Sequence, residues 1–119
     1  MSLTKDQILE ANDLQSVAVE VPEWGGTVHV RSMTGADRDA FESSMVTVHP
    51  DGSRTPDLRN LRSKLVALTL VDEEGNRLFE VADIARLALK SSAALERVFE
   101  AAQRLNGLGT KAEAEAVKN

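Results

Sequence analysis

The sequence predicts a single α+β domain, with an N-terminal β-hairpin packed on a mainly helical C-terminal part, and three features predict it. Val17, Val19 and Val21 alternate with Ala18 and Glu20, which places the three valines on one face of a strand. Val28 and Val30 alternate in the same way between Thr27, His29 and Arg31, and Pro22-Glu23-Trp24-Gly25-Gly26 supplies the reversal between the two runs. Near the other end, Leu95, Val98, Phe99, Ala102 and Leu105 fall at i, i+3, i+4, i+7 and i+10, the periodicity of an amphipathic helix. At 119 residues the chain has the size of one ordinary domain. Its expected extent is 1–109, followed by a polar, frayed tail over 110–119.

Along the chain, Thr4-Lys5-Asp6-Gln7 matches a capping box in front of Ile8 and Leu9, so a short helix is expected before Asn12-Asp13 ends it. The hairpin covers about 16–32, with Pro22 at a strand end where its missing N–H is harmless. Gly25 and Gly26 can both take positive φ at little steric cost. Thr34 is an N-cap candidate for a helix over about 35–46 that carries Ala40, Phe41 and Met45. From Thr47 to Asp57 two prolines and a glycine among polar residues read as a surface loop turning at Pro50-Asp51-Gly52.

Leu58, Leu61, Leu65 and Leu68 step by three, four and three, which predicts a helix over about 58–70. Its last residues, Leu68-Thr69-Leu70-Val71, have a second reading as a short strand pairing with Arg77 to Val81 across Asp72-Glu73-Glu74-Gly75-Asn76. Asp83 can cap a short helix over 83–90, and Ser91 or Ser92 can cap the last helix over 92–106. Asn106-Gly107 is a natural stop for it.

Composition narrows the function classes. Apolar residues at 42% and charged ones at 28% give the balance of a chain that folds rather than one that stays disordered. A net charge of −5 argues against a protein that neutralises phosphates, so no nucleic-acid partner is expected. The longest apolar stretch, Leu65 to Val71, falls far short of the roughly 18 residues that span a bilayer, and no membrane partner is expected either. No signal peptide is visible, and the absence of cysteine fits a reducing cytoplasm.

A chemical inventory is hard to assemble. His29 alternates with valines in a strand and His49 sits in a polar stretch, so each reads as a structural or surface residue rather than a catalyst. Asp72, Glu73 and Glu74 lack the ligand spacing of a calcium loop, in which glycine comes later, and read as a solvated turn. Gly107 and Gly109 before Thr110-Lys111 lack the spacing of a phosphate loop. Neither a cofactor, a metal nor a catalytic residue is therefore expected, and a hydrolase with a scattered site ranks last among the readings. Trp24 stands out as a large amphipathic side chain in a turn. It reads first as a ring folded over the hairpin's apolar face, and second as an exposed binding anchor, because aromatic anchors are enriched at interface hot spots. Pro22, Trp24, Gly25 and Gly26 are the candidate partner-binding residues.

Val19-Glu20-Val21-Pro22-Glu23-Trp24-Gly25-Gly26, then Val28-His29-Val30-Arg31 and Thr34-Gly35-Ala36-Asp37-Arg38-Asp39, resembles the N-terminal region of phage and prophage tail assembly chaperones. Val71-Asp72-Glu73-Glu74-Gly75-Asn76-Arg77-Leu78-Phe79, Asp83-Ile84, Leu95-Glu96-Arg97-Val98-Phe99 and Arg104-Leu105-Asn106-Gly107-Leu108 are similar to the same family in the same order. The resemblance implies a non-enzymatic, non-virion protein in the cytoplasm of the bacterial host. Such a protein would bind the tape measure protein, keep it soluble and recruit tail tube subunits around it. It also implies a short product of a frameshifted gene pair; Lys118-Asn119 would fit if encoded AAA-AAC after an A, which forms a slippery heptamer. A carrier that coats a long partner can also self-associate. The competing reading is a small acidic adaptor or regulator that binds another host or phage protein.

Overall fold

The computed structural model describes residues 2–108. Among these residues five α-helices and five short strands follow one another: α1 (Lys5–Glu10), β1 (Ser16–Val21), β2 (Gly26–Arg31), α2 (Gly35–Ser44), β3 (Val46–Val48), β4 (Arg54–Pro56), α3 (Leu61–Thr69), β5 (Leu70–Val71), α4 (Ile84–Leu87) and α5 (Ser92–Leu105). The architecture is α+β. The predicted tail over 110–119 lies outside the described residues.

β1 and β2 form the expected antiparallel hairpin, with Val17 opposite Val30, Val19 opposite Val28 and Val21 opposite Gly26. Directly opposed residues share a face, so the five valines form one apolar surface. Along β1 burial increases toward the turn, with Val17 exposed, Val19 half-buried and Val21 fully buried, while on β2 Val28 is half-buried and Val30, beside β5, is fully buried. β5 joins the other side of β2, giving the order β1-β2-β5 with Val30 opposite Leu70 and His29 opposite Val71.

Both readings of the segment after Leu68 contain part of this arrangement. The helix runs to Thr69, and Leu70-Val71 then becomes a strand; Val71 also bridges Arg77, but the ladder partner is β2. Thr69 eases the exit, since its buried hydroxyl donates back to the Leu65 carbonyl at 2.7 Å.

α5 covers the valine face and runs alongside α3. Ala94, Leu95, Val98, Phe99 and Ala102 on its inner side are buried with Leu65 and Val66 of α3, Leu70, Val21, Val30 and Phe41. Leu105, the last residue of the predicted stripe, is half-buried. Ser91 caps the helix, its hydroxyl accepting from the Ala94 N–H at 3.3 Å. At the other end Gly107 takes φ 67, and the Leu108 N–H donates to the Gln103 carbonyl at 2.7 Å, the Schellman closure. Asn106 locks that end to the start of α2, accepting from the Met33 N–H at 2.6 Å and donating to the Ala102 carbonyl at 2.9 Å.

The 47–57 segment, read from its prolines and glycine as a loop, is mostly a second hairpin. Val46, Thr47 and Val48 pair with Pro56, Thr55 and Arg54. Pro50 sits in the turn and Pro56 at a strand end, the two places where a missing N–H costs a ladder nothing. Two helices are also shorter than their periodicity suggested. The 35–46 helix stops at Ser44 because Val46 enters β3, and the 58–70 helix starts at Leu61, after Asn60 turns left-handed at φ 55.

The 83–90 helix is reduced to a 3-10 turn, Val81–Asp83, followed by the single α-turn of α4. Asp83 does not cap α4. Its carboxylate reaches back to accept from the Glu80 N–H at 2.9 Å, which secures the preceding turn instead.

Candidate functional site: an apolar cleft beside the hairpin turn

The turn of the β1-β2 hairpin is a 3-10 turn over Pro22–Trp24, with Pro22 at its first position. Gly25 closes it at φ 74, donating to the Pro22 carbonyl at 3.0 Å. A left-handed φ is strained for most residues with a Cβ, so the backbone favours glycine at position 25. Gly26 does not share that demand: it begins β2 with φ outside the left-handed region.

Trp24, at the end of this turn, is half-buried and packs against the hydrophobic core. Glu23, one residue earlier, accepts from the Arg97 guanidinium of α5 at 2.9 and 3.2 Å. That hydrogen bond holds the Glu23 carboxyl below the usual glutamate range.

The outer side of Trp24 forms one wall of an open cleft of about 510 Å³. Phe79, Leu87 and Leu89 supply the rest of its apolar lining, and Asp83, Arg86 and Lys90 stand around it. Leu87 is buried beneath the cleft, whereas Leu89 is 84% exposed. Leu78 and Val81, in the same stretch of chain, are exposed as well but do not line the cleft. An opening of this size, apolar inside and charged around, suits a few bulky side chains of a partner rather than a polar metabolite.

The four candidate residues therefore divide. Trp24 lines the cleft, Gly25 shapes the turn that presents it, and Pro22 and Gly26 are exposed turn and strand-end residues that do not line it. Trp24 packs against the core and also lines the cleft.

Phe79, Leu87, Leu89, Arg86 and Lys90 were not legible as site residues. The available signal was Leu87-Ala88-Leu89 between Arg86 and Lys90, since a single turn of helix cannot bury both leucines.

Elsewhere the polar groups are structural. Asp72 accepts from the Glu74 and Asn76 N–H groups, each at 2.9 Å, which lowers its pKa and closes the acidic turn on itself. Arg31 donates to the Gly75 carbonyl at 2.7 Å and ties that turn to β2. His49 meets the Thr55 hydroxyl at 2.9 Å across the second hairpin. Among the described residues no group of three or more His, Asp or Glu is placed to hold a metal, and no helix is long and apolar enough to cross a membrane.

The family model described as "phage tail assembly chaperone" matches residues 4–119, nearly the whole chain. The chain belongs to the phage tail assembly chaperone family. Among solved structures, that of the bacteriophage HK97 tail assembly chaperone is similar, with a TM-score of 0.59 and 20% sequence identity. The match covers 88% of this chain and 95% of the HK97 chain, so the similarity extends through the fold rather than to one motif. No curated protein sequence matches the chain at a significant level. The resemblance drawn from the Pro22-Glu23-Trp24-Gly25-Gly26 turn and the segments after it thus identified the family, and the α+β architecture expected with it is the one observed.

Proposed function

We propose that this chaperone takes an amphipathic helix of the tape measure protein into the cleft beside Trp24 and so keeps that protein soluble until tail tube subunits assemble around it. The observation that carries the reading is the open apolar cleft walled by Trp24, Phe79, Leu87 and Leu89. A helix presenting apolar residues at i, i+3 and i+4 fills such a groove while its polar side faces water. Arg86 and Lys90 at the rim would pair with acidic residues flanking those anchors.

In this reading the protein is non-enzymatic and works in the host bacterial cytoplasm. Its net charge of −5 keeps the carrier in solution while it holds an apolar client. It would leave the finished tail and be the short product of a frameshifted gene pair. Family membership favours this over the small acidic adaptor. Fluorescence tests it: adding a tape measure fragment should shift the emission of Trp24, the protein's single tryptophan, to the blue. An unchanged spectrum at saturating fragment would remove the cleft from the reading. A gene position away from those of the tail tube and tape measure proteins would remove the tail role itself.

A further inference from the structure

The first turns of α3 and α5 meet at a second open recess, of about 410 Å³, which shares Lys90 with the Trp24 cleft. Asn60, Arg62 and Ser63 line it from the start of α3, and Ser92 lines it from the start of α5. α3 begins without a side-chain cap. Its first internal bond runs from the Lys64 N–H to the Asn60 carbonyl at 2.8 Å, and the Leu61 N–H reaches the Leu58 carbonyl at 3.3 Å. The Arg62 and Ser63 N–H groups therefore have no acceptor among the described residues. On α5 the Ser91 hydroxyl takes up the Ala94 N–H, but the N–H of Ser92, the first residue of the helix, has no acceptor among the described residues either.

One buried side chain is left open in the same place. Ser63 is only 2% exposed, yet its hydroxyl makes no hydrogen bond among the described residues, whereas Arg62, Lys64 and Thr69 of the same helix all bond through their side chains. Thr69 returns its hydroxyl to the carbonyl one turn back, a solution closed to Ser63 because no helical turn precedes it. No side-chain nitrogen or oxygen among the described residues is both sealed off and without a partner, so the accessible sliver of Ser63 includes this hydroxyl, which opens on the recess that Ser63 lines. A buried hydroxyl held without a partner costs stability unless something fills the position.

The electrostatics favour an anion. Both helix starts carry the positive end of their dipoles and offer unused N–H donors. Arg62 is paired with Glu96 and lies over Phe99, which leaves Lys90, with no ion-pair partner among the described residues, as the uncompensated charge at the recess.

We propose that the recess between the starts of α3 and α5 is an oxyanion site, taking one carboxylate or phosphate group on the Ser63 hydroxyl, the free N–H groups of the two first turns and the Lys90 ammonium. The site goes beyond the client cleft: Ser63 and Ser92 do not line that cleft, so the two can fail separately.

NMR titration of the full-length protein tests it, with inorganic phosphate and acetate added in separate arms and the ionic strength held constant with chloride. One of the two anions should move the Arg62, Ser63 and Ser92 amide resonances to saturation in the millimolar range. Tighter acetate assigns the site to an acidic group of a bound protein segment, and tighter phosphate assigns it to a phosphate group. Ser63→Ala, which removes the hydroxyl, and Lys90→Ala, which removes the charge, should each weaken the tighter anion by about three- to tenfold. Should Ser63→Ala disturb the core, Ser92→Pro takes its place. It deletes only the free N–H, because proline is accepted at the first position of a helix and Ser91 already has the φ −50, ψ 130 that a following proline requires. Shifts that neither anion saturates, or a folded variant that binds as tightly as the wild type, would overturn the proposal.

Discussion

Arg97 on α5 donates to both carboxylate oxygens of Glu23, at 2.9 and 3.2 Å, and so fastens the turn that presents Trp24 to the helix at the centre of the core. The pair is solvent-accessible, and pairs of that kind add little to global stability. Its role is positional. Arg97→Ala should leave the thermal midpoint nearly unchanged while loosening the indole, read as a red shift and lower anisotropy of Trp24 emission. An unchanged spectrum would mean that packing alone holds the turn.

The same pair has a pH signature. The pKa of Glu23 is lowered in the folded protein by its bond to Arg97, so the folded state favours the ionised form. The associated stabilisation is present above the ordinary glutamate range and is lost as the pH falls through the depressed folded value. Trp24 emission should therefore report loosening only in acid, below the ordinary glutamate range. In Arg97→Ala, NMR titration should find the Glu23 carboxyl moved back up toward that range.

Within the turn, Gly25 and Gly26 should respond differently. Gly25→Ala forces a Cβ residue to φ 74 and should cost roughly 1–2 kcal/mol. Gly26→Ala meets no atom within 4 Å and no left-handed φ, so it should stay within about 0.5 kcal/mol of the wild type. Urea denaturation of both variants checks this. Equal losses would contradict the backbone account.

Phe99 is a core residue, and Arg62 places its guanidinium 5.5 Å from the centre of the ring. Phe99→Ala should cost about 3–5 kcal/mol by cavity formation. Arg62→Ala, which removes a half-exposed cation over the ring and its pairing with Glu96, should cost only about 1 kcal/mol. A loss below about 1 kcal/mol for Phe99→Ala would place the α5 stripe outside the core.

The elements read correctly from sequence are those with one dominant local cause. Three alternating valines required a half-buried strand, the 95–105 stripe required a helix laid on something apolar, and Asn106-Gly107 ended it through glycine's access to positive φ. What escaped depended on distant partners. Leu70-Val71 is helical by local pattern and becomes a strand only because β2 offers its free edge. Val46 to Pro56 carries turn residues that hide a hairpin, since proline's damage depends on whether its N–H faces a neighbour. The cleft was half legible. Trp24 drew notice as a large ring in a turn, but Phe79, Leu87 and Leu89 join it only through the fold, from segments more than fifty residues later in the chain.

The most direct test of the account is co-expression with the tape measure protein, comparing the wild type with Leu89→Glu. Leu89 is exposed, so the substitution should leave the fold intact while placing a charge at the mouth of the cleft. The account predicts that the wild type brings the tape measure protein into the soluble fraction and that the variant lowers its yield there by on the order of tenfold or more. A tape measure protein that is equally insoluble with and without the wild-type chain would contradict the chaperone role. Equal rescue by wild type and variant would contradict its location at Trp24.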